Sequence, residues 1–320
     1  TFALALVAST GFAAKKPKYK EGTAGAGSIS GTVSLKGAAM APIVEDLTKG
    51  KKEMKKIVLG VMVATFALAL VASTGFAAKK PKYKEGTAGA GSISGTVSLK
   101  GAAMAPIVED LTKGKNVEFC STHPDAKDGK RARVKVTAAG GKLKDAVVFI
   151  ENIETGKKWS TDPINFDFKT CDIFPKVSIV RKTPKGMKKG LVTITNQDPE
   201  VLHNPHGYSV KGANRKTLFN KPLPSQGDVA DVTKNMKRFK QKKDKHFFLQ
   251  CDQHNFMEAD GRIVWNPYYS ISGADGAFKI DGVPDGSYKV TAWHPYVGEM
   301  TSDVKVAGGE AKADFTLAAK

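Results

Sequence analysis

Short alternating segments separated by turn residues run through the chain from Ser92 to its end, and they limit the folds it can adopt. Ser92 to Gly101 alternates apolar and polar side chains, Ala146 to Ile150 is wholly apolar, and Ser287 to Trp293 alternates again. Period-two segments bounded by Gly, Pro and Asn are typical of strands, and no stretch longer than about two turns has helical periodicity. The sequence therefore predicts an all-β protein built from sandwiches.

The middle of the chain carries a second series of predicted strands. They lie at Ile164 to Phe168, Val177 to Arg181, Leu191 to Thr195, His246 to Gln250 and Arg262 to Trp265. Residues 204–226 are predicted to form a loop, because Pro, Asn and Gly are frequent there. Residues 102–130 are predicted to be irregular, with one helical turn at Ile107 to Leu111.

An exact repeat occupies the first part of the chain. Residues Thr1 to Lys51 recur without a change as Thr65 to Lys115. Structural repeats diverge and keep only their core pattern. Perfect identity instead indicates a recent tandem duplication or a misjoined gene model, and we expect residues 1–53 to be disordered or an artefact.

A secretory signal peptide is predicted at residues 54–77. Met54 is followed by two lysines, an apolar run from Ile57 to Ala72, and small residues that end at Ala77. This run is too short for a transmembrane helix. We expect cleavage near Ala77, export to the periplasm or beyond the cell, no transmembrane anchor afterwards, and a flexible Gly/Ala-rich tether at residues 78–91.

The chain is strongly basic. Residues 1–77 hold ten lysines and four acids, so most of the formal net charge of +19 remains after export. This surplus favours acidic partners, and export argues against nucleic acid. We expect redox proteins to dock near the predicted metal site described below or at Lys234 to Lys245, although that stretch also fits a solvated loop.

Three cysteines are present: Cys120, Cys171 and Cys251. In an exported protein, an odd count leaves a free thiol or a metal ligand once a disulfide has formed. One bridge from Cys120 to Cys171 with Cys251 as a ligand fits this count, and the sequence leaves the pairing open.

A thiol, an imidazole and a thioether follow the strand that ends in Phe247-Phe248-Leu249-Gln250. They belong to Cys251, His254 and Met257, and His203 offers a second imidazole upstream. A thiolate with two imidazoles and a weak thioether is the donor set of a blue-copper site, whereas a thioether binds zinc poorly. The sequence predicts one copper at these four residues, with His206 as an alternative to His203.

The sequence Asn196-Gln197-Asp198, the pair His203-Asn204 and the Cys251-x2-His254-x2-Met257 loop resemble the cupredoxins, and the loop is similar to that of amicyanin. The resemblance implies a Greek-key β-sandwich with one type 1 copper. It also implies that the Asn204 side chain ties the two ligand loops by hydrogen bonds. We place Asn204 and Phe256 around the ligands.

A second resemblance is carried by Asp275-Gly276-x-Phe278 and by Val283-Pro284-x-Gly286-x-Tyr288. These motifs are similar to the transthyretin-like fold of carboxypeptidase regulatory-type domains. Gly95-Thr96-Val97 resembles the opening strand of the same module. The two resemblances imply a transthyretin-like sandwich from residues 92–159 and 268–320, interrupted by a cupredoxin domain at 162–267. Two domains in tandem are the alternative.

These features predict an exported mononuclear type 1 copper protein that carries electrons and is not an enzyme. The alternative is a non-redox envelope protein that binds other molecules, or stores or senses copper. The chain has no Cys-x2-Cys-His motif for covalent haem, and the Cys251 loop lacks the second cysteine of a binuclear copper centre.

Overall fold

The structure is a computed structural model that describes residues 82–319. The exact repeat up to residue 81 and the predicted signal peptide therefore lie outside the described residues. Within the described range, nearly all regular structure is strand, and the all-β prediction is confirmed. The helices are Val117–Cys120 and Thr233–Met236. The strands, in chain order, are β1 Lys84–Glu85, β2 Gly91–Lys100, β3 Ile107–Asp110, β4 Ala126–Lys127, β5 Lys130–Arg133, β6 Ala138–Ala139, β7 Lys142–Leu143, β8 Val147–Ile150, β9 Thr155–Gly156, β10 Ile164–Lys169, β11 Asp172–Phe174, β12 Val177–Arg181, β13 Val192–Asn196, β14 Pro205–Lys211, β15 Asn214–Asn220, β16 Val229–Asp231, β17 His246–Cys251, β18 Glu258–Val264, β19 Tyr269–Ile271, β20 Ala277–Val283, β21 Gly286–His294, β22 Gly298–Val306, β23 Glu310–Lys312 and β24 Phe315–Ala318.

One sandwich, called here the terminal sandwich, takes strands from both ends of the described chain. Its first sheet has the order β20-β2-β7-β6, and β23 and β24 also pair with β2. Its second sheet has the order β19-β8-β21-β22. Side chains from both sheets, including Ile93, Val148 and Phe315, share one buried core. Strands far apart in sequence are therefore required for this core to close.

The central sandwich is formed by β10 to β18. One sheet has the order β11-β10-β13-β16, and the other has the order β12-β18-β17-β14-β15. Phe166, Ile194, Phe247 and Leu249 fill the core between these sheets. The alternation of β17 turns Phe247, Leu249 and Cys251 to the same face, so this strand delivers the thiol into the core.

A third buried cluster joins the two sandwiches. It contains Phe149 and Trp293 of the terminal sandwich and Ile179 and Val264 of the central one. The Arg262 guanidinium lies 4.6 Å from the Phe149 ring centroid and donates to Glu299 at 2.8 Å. The assignment of the terminal sandwich to the transthyretin-like class, with the predicted boundaries, remains a proposal.

Strands β3, β4 and β5 form a separate three-stranded sheet, called here the cap together with the helix Val117–Cys120. The predicted helical turn at Ile107 to Leu111 is wrong, because residues 107–110 pair with β5. The cap falls within residues 92–159, which were predicted to belong to the transthyretin-like sandwich. Its residues Leu111 and Cys120 are instead buried in the core of the central sandwich. Val108 is 66% exposed, so this strand lacks the buried alternation that would have revealed it.

The predicted tether is also wrong over its described part. Lys84 and Glu85 pair with β9, and the Gly89 N–H donates to the Gly282 carbonyl at 2.8 Å. The Tyr83 ring meets the Trp159 and Tyr268 rings edge-on. A Cβ at Gly89 would lie 2.3 Å from the Val283 carbonyl oxygen, so only glycine allows this approach.

The loop predicted at residues 204–226 contains the hairpin of β14 and β15. The inward positions of β14 are Pro205, Gly207 and Ser209, so its buried face carries none of the large apolar residues that mark a strand in the sequence. A Cβ at Gly207 would lie 2.2 Å from the Phe219 ring. Among residues 82–319, no helix is long and apolar enough to span a membrane.

Candidate metal centre

The loop after β17 closes on itself through two backbone hydrogen bonds. The Cys251 N–H donates to the Met257 carbonyl at 3.1 Å, and the Met257 N–H donates to the His254 carbonyl at 2.9 Å. This tight turn keeps Cys251 and His254 together at the end of the central sandwich. Met257 is fully buried where β18 begins.

His203 reaches the loop from the other side. Its backbone exchanges hydrogen bonds of 3.1 and 2.8 Å with Leu223, and its side chain is fully buried. It lies between β13, which ends at Asn196, and β14, which begins at Pro205. Pro205 pairs with Cys251 across the sheet, and this register brings a residue 48 positions before the thiol next to it.

Three donor atoms converge in this buried region. The Nδ1 atoms of His203 and His254 each lie 3.7 Å from the Cys251 Sγ, and the three donors lie within 4.8 Å of one another. A metal with bonds of about 2.3 Å to sulfur and about 2.0 Å to nitrogen, meeting at about 120°, separates sulfur from nitrogen by about 3.7 Å. The spacing of the donors therefore fits a trigonal metal site.

The outer nitrogen of each imidazole has its own acceptor. His203 Nε2 lies 2.9 Å from Asp198 Oδ2, and His254 Nε2 lies 3.1 Å from Asn116 Oδ1. Oxygen acceptors at these positions place the proton on Nε2, which leaves the Nδ1 lone pair directed at the thiol. Both rings are therefore held in the tautomer that a metal ligand requires.

The electrostatics favour the thiolate. Burial would raise the pKa of the Cys251 thiol, but its polar contacts with the His203 and His254 rings and with the Asn204 N–H outweigh burial and lower the pKa to about 6. Burial also opposes the charged form of His203, but its hydrogen bonds to Asp198 and Cys251 raise its pKa. The thiolate is the form of cysteine that binds metals.

Asp198 is a buried carboxylate whose neighbours are three donors. It accepts a hydrogen bond from the Cys171 N–H at 2.8 Å and another from the Thr170 N–H, besides holding His203. Thr170 and Cys171 both have φ near 53°, so the turn between β10 and β11 is left-handed at two positions and directs both N–H groups at the carboxylate. These donors offset the cost of burying the charge.

Asn204 plays a different part from the predicted one. Its N–H lies 3.4 Å from the Cys251 Sγ, and its carbonyl accepts from the Asp252 N–H at 3.0 Å. Its side-chain Oδ1 is buried and has no hydrogen-bond partner among the described residues. The link between the two loops is therefore made by the Asn204 backbone, and the predicted side-chain tie is wrong.

Phe256 and His206 occupy contrasting positions. The Phe256 ring is largely buried, with its centroid 5.9 Å from that of His254. His206 lies opposite Gln250 in the sheet and points away from the core. It lies 3.0 Å from Asp252 Oδ2 and stacks on Tyr208, so the structure does not bring this alternative ligand to the three donors.

The structure joins Cys120 to Cys171 in a disulfide, which leaves Cys251 as the free cysteine of the described residues. Both sulfur atoms lie within 4.8 Å of a His254 ring nitrogen. A disulfide offers no thiolate, so this second group of cysteine and histidine side chains is not a metal site.

Two residues of the centre were not predicted in their roles. Asp198 belongs to the Asn196-Gln197-Asp198 motif, which does not indicate a contact with His203, and Asn116 lies in no motif. Asn116 meets His254 from 138 positions away, and nothing in the local sequence indicates such a contact. Asn116 is also the first residue after the second copy of the repeat, and Lys52 occupies the matching place after the first copy.

The solved structures to which this chain is similar include a copper-containing nitrite reductase and a purple cupredoxin. A copper-containing nitrite reductase from Thermus scotoductus SA-01 is 15% identical, with a TM-score of 0.22, over 40% of this chain and 25% of that one. A purple cupredoxin from Nitrosopumilus maritimus is 17% identical, with a TM-score of 0.22, over 32% of this chain and 99% of that one. No family model and no curated protein matches. Because these TM-scores are low, we base the metal site on its own geometry.

Proposed function

We propose that this chain is a mononuclear type 1 copper protein that carries single electrons in the cell envelope. The observation that supports this most strongly is the buried convergence of the Cys251 thiol with the Nδ1 atoms of His203 and His254. Copper bound there would alternate between two oxidation states by gaining and losing one electron. Met257, buried in the same loop, is the proposed weak axial ligand.

The chain would fix the positions of the ligands, fix the orientation of both imidazole rings and exclude water from such a metal. The register of β14 and β17 fixes His203 against Cys251, and the loop hydrogen bonds fix His254. Asp198 and Asn116 keep both rings from turning. The four proposed ligands are at most 2% exposed, which excludes water. A ligand set that moves little between oxidation states suits a carrier rather than a catalyst.

The alternative is a protein that stores or senses copper. Exchange of metal with the surroundings requires access to the ligands, and here His203, Cys251 and Met257 are fully buried. This burial favours a permanently held metal. It therefore supports the electron carrier over the storage or sensing protein.

We further propose export to the envelope, in accordance with the signal sequence at residues 54–77. The disulfide between Cys120 and Cys171 supports this, because such bonds persist in oxidising compartments. The signal itself lies outside the described residues.

An acidic redox protein is the proposed partner. Exposed Lys240, Lys242 and Lys243 line a cleft of about 910 Å³ with Trp159 and Trp265. This stretch is anchored rather than a simple solvated loop, since Met236 and Phe239 are fully buried. Lys245 directly precedes β17 and Cys251 ends it, so the two residues lie about 20 Å apart at about 3.3 Å per residue. We therefore assign the lysines to long-range attraction of the partner, and electron transfer to the end that holds the metal.

The visible spectrum of the copper-loaded chain tests this function. We expect an intense thiolate-to-copper band that is absent in Cys251→Ala and is lost or strongly altered in His203→Ala. His206→Ala is the matched control, since it removes an imidazole outside the three donors, and it should keep the band. If the wild-type protein binds copper without this band, or loses its copper to a chelator within seconds, the result would favour a storage or sensing protein.

A further inference from the structure

The cap covers the imidazole edge of His254 that faces away from the thiol. Asn116 Oδ1 accepts from His254 Nε2 at 3.1 Å, and the neighbouring Lys115 side chain bonds to Gln253. Arg131, on β5 of the cap, lies 5.4 Å from the Phe256 ring centroid. His254 is consequently only 2% exposed, although it stands in a surface loop.

Asn116 makes this contact in place of a helix-capping hydrogen bond. It precedes the helix Val117–Cys120, where an Asn side chain normally caps the first N–H groups, but here it makes no cap hydrogen bond. Its backbone is left-handed, with φ 52° and ψ 38°. Asn adopts this region more readily than most other non-glycine residues. The side chain that would cap the helix is directed at His254 instead.

The disulfide fixes the cap to the other half of the centre. The helix that starts after Asn116 ends at Cys120, which is bonded to Cys171. The Cys171 N–H donates at 2.8 Å to the same Asp198 oxygen that lies 2.9 Å from His203 Nε2. The disulfide therefore links the segment that carries Asn116 to the turn whose Cys171 N–H holds Asp198.

We propose that Asn116 is a positioning residue for His254, and that the Cys120–Cys171 disulfide locks it there so that the cap closes the metal centre to exchange with solvent. The inference deepens the proposed function, because it presupposes a metal at these donors. The cap is anchored by the disulfide between Cys120 and Cys171, which are 51 positions apart, and it sets the rate at which the metal leaves. Loss of such a partner to a ligand imidazole typically costs about 10–100-fold in metal affinity.

Asn116→Gly is the sharpest variant, because glycine adopts φ 52° without strain and removes only the side chain. We expect its copper to pass to an excess of chelator at least 10-fold faster than that of the wild type. Asn116→Asp retains an acceptor oxygen and should stay near the wild-type rate. The double variant Cys120→Ser/Cys171→Ser should accelerate release at least as much as Asn116→Gly. Asn152→Ala, which removes an amide in the terminal sandwich, is the matched control and should not change the rate.

A measurement without metal separates this inference from the proposed function. Diethyl pyrocarbonate modifies accessible imidazoles, and mass spectrometry locates the modified residues. In the metal-free protein we expect His254 to react slowly in the wild type and at least 10-fold faster in Asn116→Gly and in the double variant, with part-exposed His206 as the internal reference. Equal His254 reactivity in all three proteins would overturn the cap lock even if the copper band is normal. Faster reaction in the variants, together with no copper band in the wild type, would retain the cap and reject the electron carrier.

Discussion

Asp198 holds one of the proposed ligands from within the core. Burying a carboxylate destabilises the folded protein unless charged or hydrogen-bonded partners surround it. Here two backbone N–H groups and the His203 ring supply them. The same carboxylate holds His203 in the tautomer that presents Nδ1 to the thiol, so its role extends beyond stability.

His294 shows the opposite use of a buried imidazole. It is 1% exposed in the terminal sandwich, and its Nδ1 accepts from the Tyr296 N–H at 3.3 Å. Burial lowers its pKa to about 4, against an opposing attraction from Asp260. The folded protein therefore keeps this ring neutral at pH values where the unfolded chain would protonate it.

This shift predicts a dependence of stability on pH. The unfolded histidine binds a proton near pH 6.5 and the folded one near pH 4, so the unfolded state holds more protons between these values. The free energy of unfolding should not change through His294 above about pH 7. It should fall by up to about 3 kcal/mol as the pH drops from 6.5 to 4, at about 1.4 kcal/mol per unit.

Urea unfolding at pH 7.5 and at pH 4.5 measures this loss. His294→Asn keeps an acceptor near the Nδ1 position but cannot take up a proton, so it should lose about 2–3 kcal/mol less than the wild type over the same interval. Equal losses in both proteins would assign the acid sensitivity to other groups.

At the scale of elements, β2 near the start of the described chain pairs with the last two strands, β23 and β24. Its first part pairs with β23 and its second part with β24, and the chain crosses between them at Ala313. The Ala313 N–H donates to the Ser94 carbonyl at 2.9 Å, and Asp314 Oδ1 accepts from the Thr96 N–H at 2.8 Å. The backbone of Ala313 therefore lies directly over Gly95.

Gly95→Ala should disrupt this crossing. A Cβ at Gly95 would lie 1.9 Å from the Ala313 carbonyl oxygen, and backbone on both sides leaves little room to adjust. We expect a loss of about 1–3 kcal/mol or more in the free energy of unfolding, as for other overpacked sites. Gly309→Ala is the control, because a Cβ there meets no heavy atom within 4 Å. Denaturant titration of both variants measures the difference, and equal stabilities would contradict the predicted clash.

Elements were predictable where apolar side chains mark the buried face. Val177–Arg181 is a strand with the bounds that the sequence indicated, and its inward residues are apolar. The hairpin of β14 and β15 was missed because Pro205, Gly207 and Ser209 occupy inward positions. Strand β3 was missed because Ile107 and Val108 are exposed. In both cases the pairing with other strands, rather than the local pattern, determines the structure.

At the scale of the whole molecule, the three convergent donors could be proposed from spacing and donor type, but their surroundings could not. Cys251 and His254 share one loop, so their proximity follows from three positions of separation. The contacts of Asn116 with His254 and of Cys120 with Cys171 depend on how the cap packs on the central sandwich. Long-range packing of this kind leaves no periodic signal in the sequence.

Net charge is also a property of the whole molecule: residues 78–320 hold 50 − 10 = 40 basic and 31 − 4 = 27 acidic residues, a net charge of +13 that predicts how fast anionic redox reagents react. Electrostatic steering raises the rates of encounter between opposite charges and weakens as salt shortens the Debye length from about 30 Å at 0.01 M to about 10 Å at 0.1 M. Oxidation of the reduced copper protein by hexacyanoferrate should therefore slow as ionic strength rises.

The lysine cleft allows this steering to be localised. Replacing Lys240, Lys242 and Lys243 with Gln should lower the stopped-flow rate several-fold at 0.01 M salt and flatten its salt dependence, because these lysines have no ion pair among the described residues. The control replaces three exposed lysines of the terminal sandwich, Lys100, Lys142 and Lys305, and makes the same change in net charge. If both triple variants slow equally, total charge rather than the cleft attracts the reagent. A larger effect in the cleft variant would place the approach of anionic partners on the central sandwich, the part of the molecule that holds the proposed metal ligands.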